Sequence, residues 1–83
     1  MSTDLRVVLT TEADQIKADA LAEQLITRRL AACITSMPVQ SCYRWQGKIE
    51  RAQEVQLLIK TSSDRLEELL SALQALHSYD TPE

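Results

Sequence analysis

The chain has 83 residues, nine Lys and Arg against twelve Asp and Glu, a net charge of −3, and 45% hydrophobic and 25% charged residues. A chain of this length makes one small domain, taken as residues 1–83, and its apolar content excludes wholesale disorder. The largest basic cluster is the pair Arg28-Arg29 and the longest apolar run is LAACI, so neither a nucleic-acid interface nor a membrane-spanning segment is expected.

The opening MSTDLRVVLTT carries Asp4 and no apolar stretch of signal-peptide length, which gives a cytoplasmic protein as the expectation. Cys33 and Cys42 have eight residues between them. That is no zinc-type spacing, and in an unexported chain both are expected to be reduced thiols. With no Phe, the core has to be aliphatic.

Leu5 to Thr11, LRVVLTT, is β-branched and apolar and predicts a strand buried on both faces. Thr11 offers an N-cap hydroxyl with Asp14 three positions on, and Glu12 to Leu30 contains no Gly or Pro. Ala18, Leu21, Ala22, Leu25 and Ile26 recur at helical spacing, so this stretch predicts a helix, closed by Arg28 and Arg29 at the negative end of its dipole. Ala31 to Trp45 is too rich in strand formers for a helix, and Pro38 interrupts it. The expectation is a long strand in two pieces, bent near Met37-Pro38. Gln46-Gly47-Lys48 supplies a turn, and Val55, Leu57 and Ile59 then alternate with polar residues as in a half-buried strand. Ser62-Ser63-Asp64 opens a second helix, with Asp64 and Glu67 placed for a capping box and Leu66, Leu69, Leu70, Leu73 and Leu76 forming an apolar stripe.

The order β-α-β-β-α supplies the first elements of the ferredoxin-like plan, an antiparallel sheet with two helices on one face. This is an α+β fold. The sixth element, a final strand, would start after Glu83, so the expectation is a C-terminally truncated piece of a longer protein.

Four stretches together resemble the CutA family of divalent-cation tolerance proteins: RLAACI (Arg29 to Ile34), YRWQGKIE (Tyr43 to Glu50), EVQLLIKT (Glu54 to Thr61) and HSYDTPE (His77 to Glu83). The resemblance covers the chain from about residue 5 onward. It implies a ferredoxin-like fold assembled as a homotrimer, association with copper and other divalent metals, and a cytoplasmic role in metal tolerance. Besides the strand and short helix expected after Pro82-Glu83, the chain departs from the family pattern in three places. Met37-Pro38-Val39 lacks the usual glycine, His77-Ser78-Tyr79 replaces His-Pro-Tyr, and Thr10 stands where some members place a cysteine proposed as a metal ligand.

His77, the only histidine, and Glu83 are the candidate ligands for Cu²⁺ or another divalent cation, with further groups drawn from other subunits. The competing reading of His77 is a capping or hydrogen-bonded residue at the end of the second helix. Tyr43 and Trp45 share one face of the second strand and are expected to pack against a neighbouring subunit. Lys60 is a candidate for holding an anion in a cleft between subunits. An alternative function follows from it: a regulatory module like the trimeric PII proteins, binding an anionic metabolite through Lys60, Lys48 or Arg44. No histidine lies near either cysteine in sequence, and one glycine makes no phosphate loop, so the chain is not expected to be an enzyme.

Overall fold

The structure, a computed structural model, describes residues 4–77. Its elements run β1 (Leu5–Glu12), α1 (Gln15–Thr27), β2 (Cys33–Trp45), β3 (Lys48–Ser62) and α2 (Leu66–Leu76). The three strands form one antiparallel sheet in the order β1-β3-β2, with β3 at the centre. This is the α+β, ferredoxin-like arrangement expected from the element order.

The core lies between one face of the sheet and the two helices. Paired residues on antiparallel strands share a face, and Val8, Ile59 and Ile34 stand in one row across the sheet. Thr10, Leu57 and Ser36 stand in a parallel row on the same side. Onto this face α1 sets Ala18, Leu21 and Leu25, and α2 sets Leu69, Ala72 and Leu73. Leu25, Leu57, Ile59 and Leu69 are fully buried, and each contributes about 1.5–3 kcal/mol relative to an exposed side chain. Buried core residues on the hairpin end at Val55, so β2 and β3 continue past it without helix cover. The molecule is accordingly long, 46 × 23 × 20 Å.

Several local expectations change. β1 is half-buried rather than buried on both faces, because Leu5, Val7 and Leu9 point away from the helices and are each more than half exposed. The strand also runs through Thr11 to Glu12, which removes Thr11 from the helix start. Asp14 is the N-cap instead, accepting from the Lys17 amide at 2.8 Å. The second helix has no capping box. Arg65 occupies its N-cap with no side-chain hydrogen bond, and the Asp64 carboxylate accepts from the Ser62 hydroxyl. That bond, the largest influence on Asp64, holds its carboxyl below the usual range. β2 is one strand, not two: its pairing with β3 runs from Cys33↔Lys60 to Trp45↔Lys48 with no skipped residue. Pro38 is accommodated because β2 lies at the sheet edge. The turn has Gln46 and Gly47 at φ 51° and 78°, the positive values a two-residue type I′ hairpin needs at both central positions.

The end of α1 is a Schellman motif without its usual glycine. The Leu30 amide donates to the Leu25 carbonyl at 2.9 Å and the Arg29 amide to the Ile26 carbonyl at 3.0 Å. Arg29 sits at φ 61°, and buried Leu25 and Leu30 supply the accompanying apolar contact. A Cβ at this backbone conformation costs about 1–2 kcal/mol, of which glycine returns part against its own entropic cost. Arg29→Gly is therefore expected to raise stability by about 0.5–1 kcal/mol, measured by urea unfolding; a loss of stability would show that the arginine side chain holds this corner.

Candidate functional site

His77, Glu12 and Thr11 meet where α2 and β1 end. In this topology α2 runs back alongside β1, so the C-terminus of the helix arrives over the C-terminus of the strand. His77 is the C-cap of α2, its amide donating to the Leu73 carbonyl at 2.9 Å. Its imidazole is side-chain buried, 0% exposed, and Nδ1 stands 3.7 Å from Glu12 Oε2, whose side chain is 2% exposed. Nε2 hydrogen-bonds the Thr11 carbonyl oxygen, which only accepts, so Nε2 carries a proton. Thr10, two residues before Glu12 on the same face, buries a hydroxyl with no hydrogen-bond partner among the described residues. An orphaned hydroxyl costs about 1–3 kcal/mol.

The candidate metal ligands divide. His77 is where both of its ring nitrogens meet groups of its own chain, and Glu83 lies outside the described residues. Among the described residues no group of three or more His, Cys, Asp or Glu side chains is placed to hold a metal ion. Cys33 and Cys42 are both exposed and free. The unbroken register puts them on opposite faces of β2, so they do not converge. The described residues of one copy therefore do not fit a complete cation site.

The remaining candidates stand on the side of the sheet away from the helices. Leu5, Val7 and Leu9 of β1, Leu58 of β3 and Met37 and Val39 of β2 share this face, and toward the turn Tyr43 and Trp45 continue it. Tyr43 is 41% and Trp45 61% exposed, which is high for such large apolar surfaces. Lys60 is exposed on the same face, between Val7 and Cys33. The electrostatics of this face are mixed, since Lys48, Glu50, Glu54 and Lys60 punctuate it. No helix among the described residues is long and apolar enough to cross a membrane.

A family model described as "CutA1 divalent ion tolerance protein" matches residues 6–83. The chain belongs to the CutA1 family. It is 46% identical over 81 residues to the divalent-cation tolerance protein CutA of Pectobacterium atrosepticum, spanning 96% of this chain and 74% of that protein. It is 45% identical over 78 residues to the Yersinia pestis CutA protein, spanning 93% of this chain and 66% of that one. Among solved structures, CutA of Synechococcus elongatus superposes with a TM-score of 0.95 at 44% identity, covering all of this chain and 75% of that one. CutA from Archaeoglobus fulgidus, described as a periplasmic divalent cation tolerance protein, gives 0.90 at 35% identity over 94% of this chain and 76% of that one. The family assignment expected from the four sequence stretches is thus established.

Sequence reasoning missed the link between Glu12 and His77 and the real cap at Asp14. Asp14 carried a legible signal, an N-cap residue type directly before the helical stripe. The contact between residues 12 and 77 had none, because only the packed topology brings the two element ends together.

Proposed function

We propose that this chain acts as a cytoplasmic divalent-cation tolerance protein that works as a homotrimer, takes up copper or another divalent cation at the boundaries between copies, and has no catalytic activity. The observation that carries this reading is the uncovered apolar face of the sheet, from Leu5 and Leu9 to Tyr43 and Trp45. An apolar patch that a chain leaves in water marks an interaction surface, and Leu5, Val7, Leu9, Leu58, Met37 and Val39 make one here, with Tyr43 and Trp45 further along the same face. The naming of the relatives supports the cation, and the resemblance to CutA proteins supplies the number three. The cytoplasmic placement is carried over from the sequence reading of the opening MSTDLRVVLTT.

Uptake between copies is part of this proposal because the described residues of one copy bring too few ligands together. A divalent ion satisfied by nitrogen and oxygen donors needs about four of them, and His77 with Glu12 supplies two types of donor already engaged with each other. Equilibrium dialysis against Cu²⁺ tests this: the assembled protein is expected to take up the ion, and a variant held as single chains to take up much less. Equal uptake by both would place the ion within one chain. Dialysis of His77→Ala in parallel separates the two roles of the imidazole, since unchanged uptake assigns His77 to the fold alone.

A further inference from the structure

We propose that the cleft between the end of α1 and the start of α2 binds a small organic anion, a carboxylate on a short apolar body, through Arg29 and Arg65. This site goes beyond the cation reading. It lies at the end of the sheet opposite the hairpin turn, where Leu5 pairs with Ser62. The cleft has a volume of about 480 Å³, which suits a small molecule.

The walls divide by chemistry. Leu5, Ile26, Leu30 and Ala31 line it with apolar surface, and Ile26 is left 43% exposed there although it continues the apolar stripe of α1. Most polar groups of the lining are committed within the chain. The Thr61 hydroxyl donates to the Leu30 carbonyl at 2.8 Å, the Ser62 hydroxyl donates to Asp64, and the Ala32 amide donates to the Lys60 carbonyl at 2.8 Å. The one carboxylate of the lining, Asp4, faces Arg6 at 3.8 Å.

What remains is two guanidinium groups. Arg29 has no acidic partner among the described residues, and Arg65 faces the exposed Glu68 one turn along, at 3.7 Å, and the exposed carboxylate of its neighbour Asp64. Exposed pairs of that kind are weak and exchange readily for a better anion. A guanidinium presents a planar fork of donors that matches a carboxylate. Arg29 is moreover kept at a left-handed backbone position where glycine would be less strained. Apolar walls with two arginines in the lining select an anion that also has a hydrophobic part.

The test is a titration of the whole chain with hexanoate, followed by amide chemical shifts. Hexanol has the apolar body without the charge, and inorganic phosphate has the charge without the body. Saturable shifts at Arg29, Leu30, Ala32 and Ser62 with hexanoate, at least about fivefold tighter than with either control, are expected. Arg29→Gly and Arg65→Gln are each expected to weaken hexanoate by about fivefold. Urea unfolding of Arg29→Gly, run alongside, separates a loss of binding from a loss of folding. Absence of saturation, phosphate or hexanol binding as well as hexanoate, or unchanged affinity in the Arg29→Gly/Arg65→Gln double variant would each overturn the proposal. None of these outcomes depends on cation uptake, so this site and the cation reading stand or fall separately.

Discussion

His77→Ala is expected to lower the unfolding free energy by about 3 kcal/mol, because it removes a buried partner from Glu12 and a hydrogen bond from the Thr11 carbonyl at one stroke. Both groups sit at the junction of β1 with α2, so the loss falls on the contact that fixes the end of the helix over the sheet. For a domain of this size that corresponds to about 10–20 °C in melting temperature. Thermal and urea unfolding measure it directly. Glu12→Gln, which keeps a polar side chain at the same place, is expected to cost less than the histidine deletion. A change below about 0.5 kcal/mol in His77→Ala, the range of ordinary surface substitutions, would show that the link does not support the fold.

Leu9→Asp is expected to leave a single chain folded while dissociating the assembly. Leu9 is 54% exposed and points away from the helices, so an aspartate there remains solvated in one copy and costs it little, within about 0.5–1 kcal/mol. If copies cover this face, the same carboxylate is buried without a partner, at a cost of several kcal/mol in each copy. Sedimentation velocity is expected to show a trimer for the unsubstituted chain and single chains for the variant. Trp45, the only tryptophan, gives a second reading, since its emission should move toward that of a water-exposed indole on dissociation. A variant that sediments as the unsubstituted chain does would remove the open sheet face from the interface.

Much of the fold was legible because each element carried a strong local period. The apolar spacing of Ala18, Leu21 and Leu25 and the alternation of Val55, Leu57 and Ile59 each fixed an element and its inward face, and Gln46-Gly47 fixed the turn. What escaped depended on competition between neighbours. Thr11 and Asp14 both offer caps, and extension of β1 through Glu12 decided between them. Pro38 suggested a break, but at an edge the missing amide faces outward and the strand continues. Leu5, Val7 and Leu9 looked like residues of a doubly covered strand; nothing in their own sequence tells cover by a helix from cover by another chain. For the candidate site, the sequence named His77 but not its attachment to residues 11 and 12, a contact made only by the packed fold. Arg29 was legible only as the basic end of the first helix and the start of RLAACI, and Arg65 not at all, because two helix ends that meet only in the fold bring them to one cleft.

The central position of β3 also dictates an order of events during folding. Its pairing with β2 closes through a two-residue turn, so that ribbon can zip within microseconds from local encounters. Its pairing with β1 requires the chain to bring back a strand separated from it by the whole of α1 and β2, at a far larger loop-closure cost. The ribbon is therefore expected to form first and the amino-terminal strand to dock later, so that substitutions in the hairpin slow folding more than equally destabilising ones in β1.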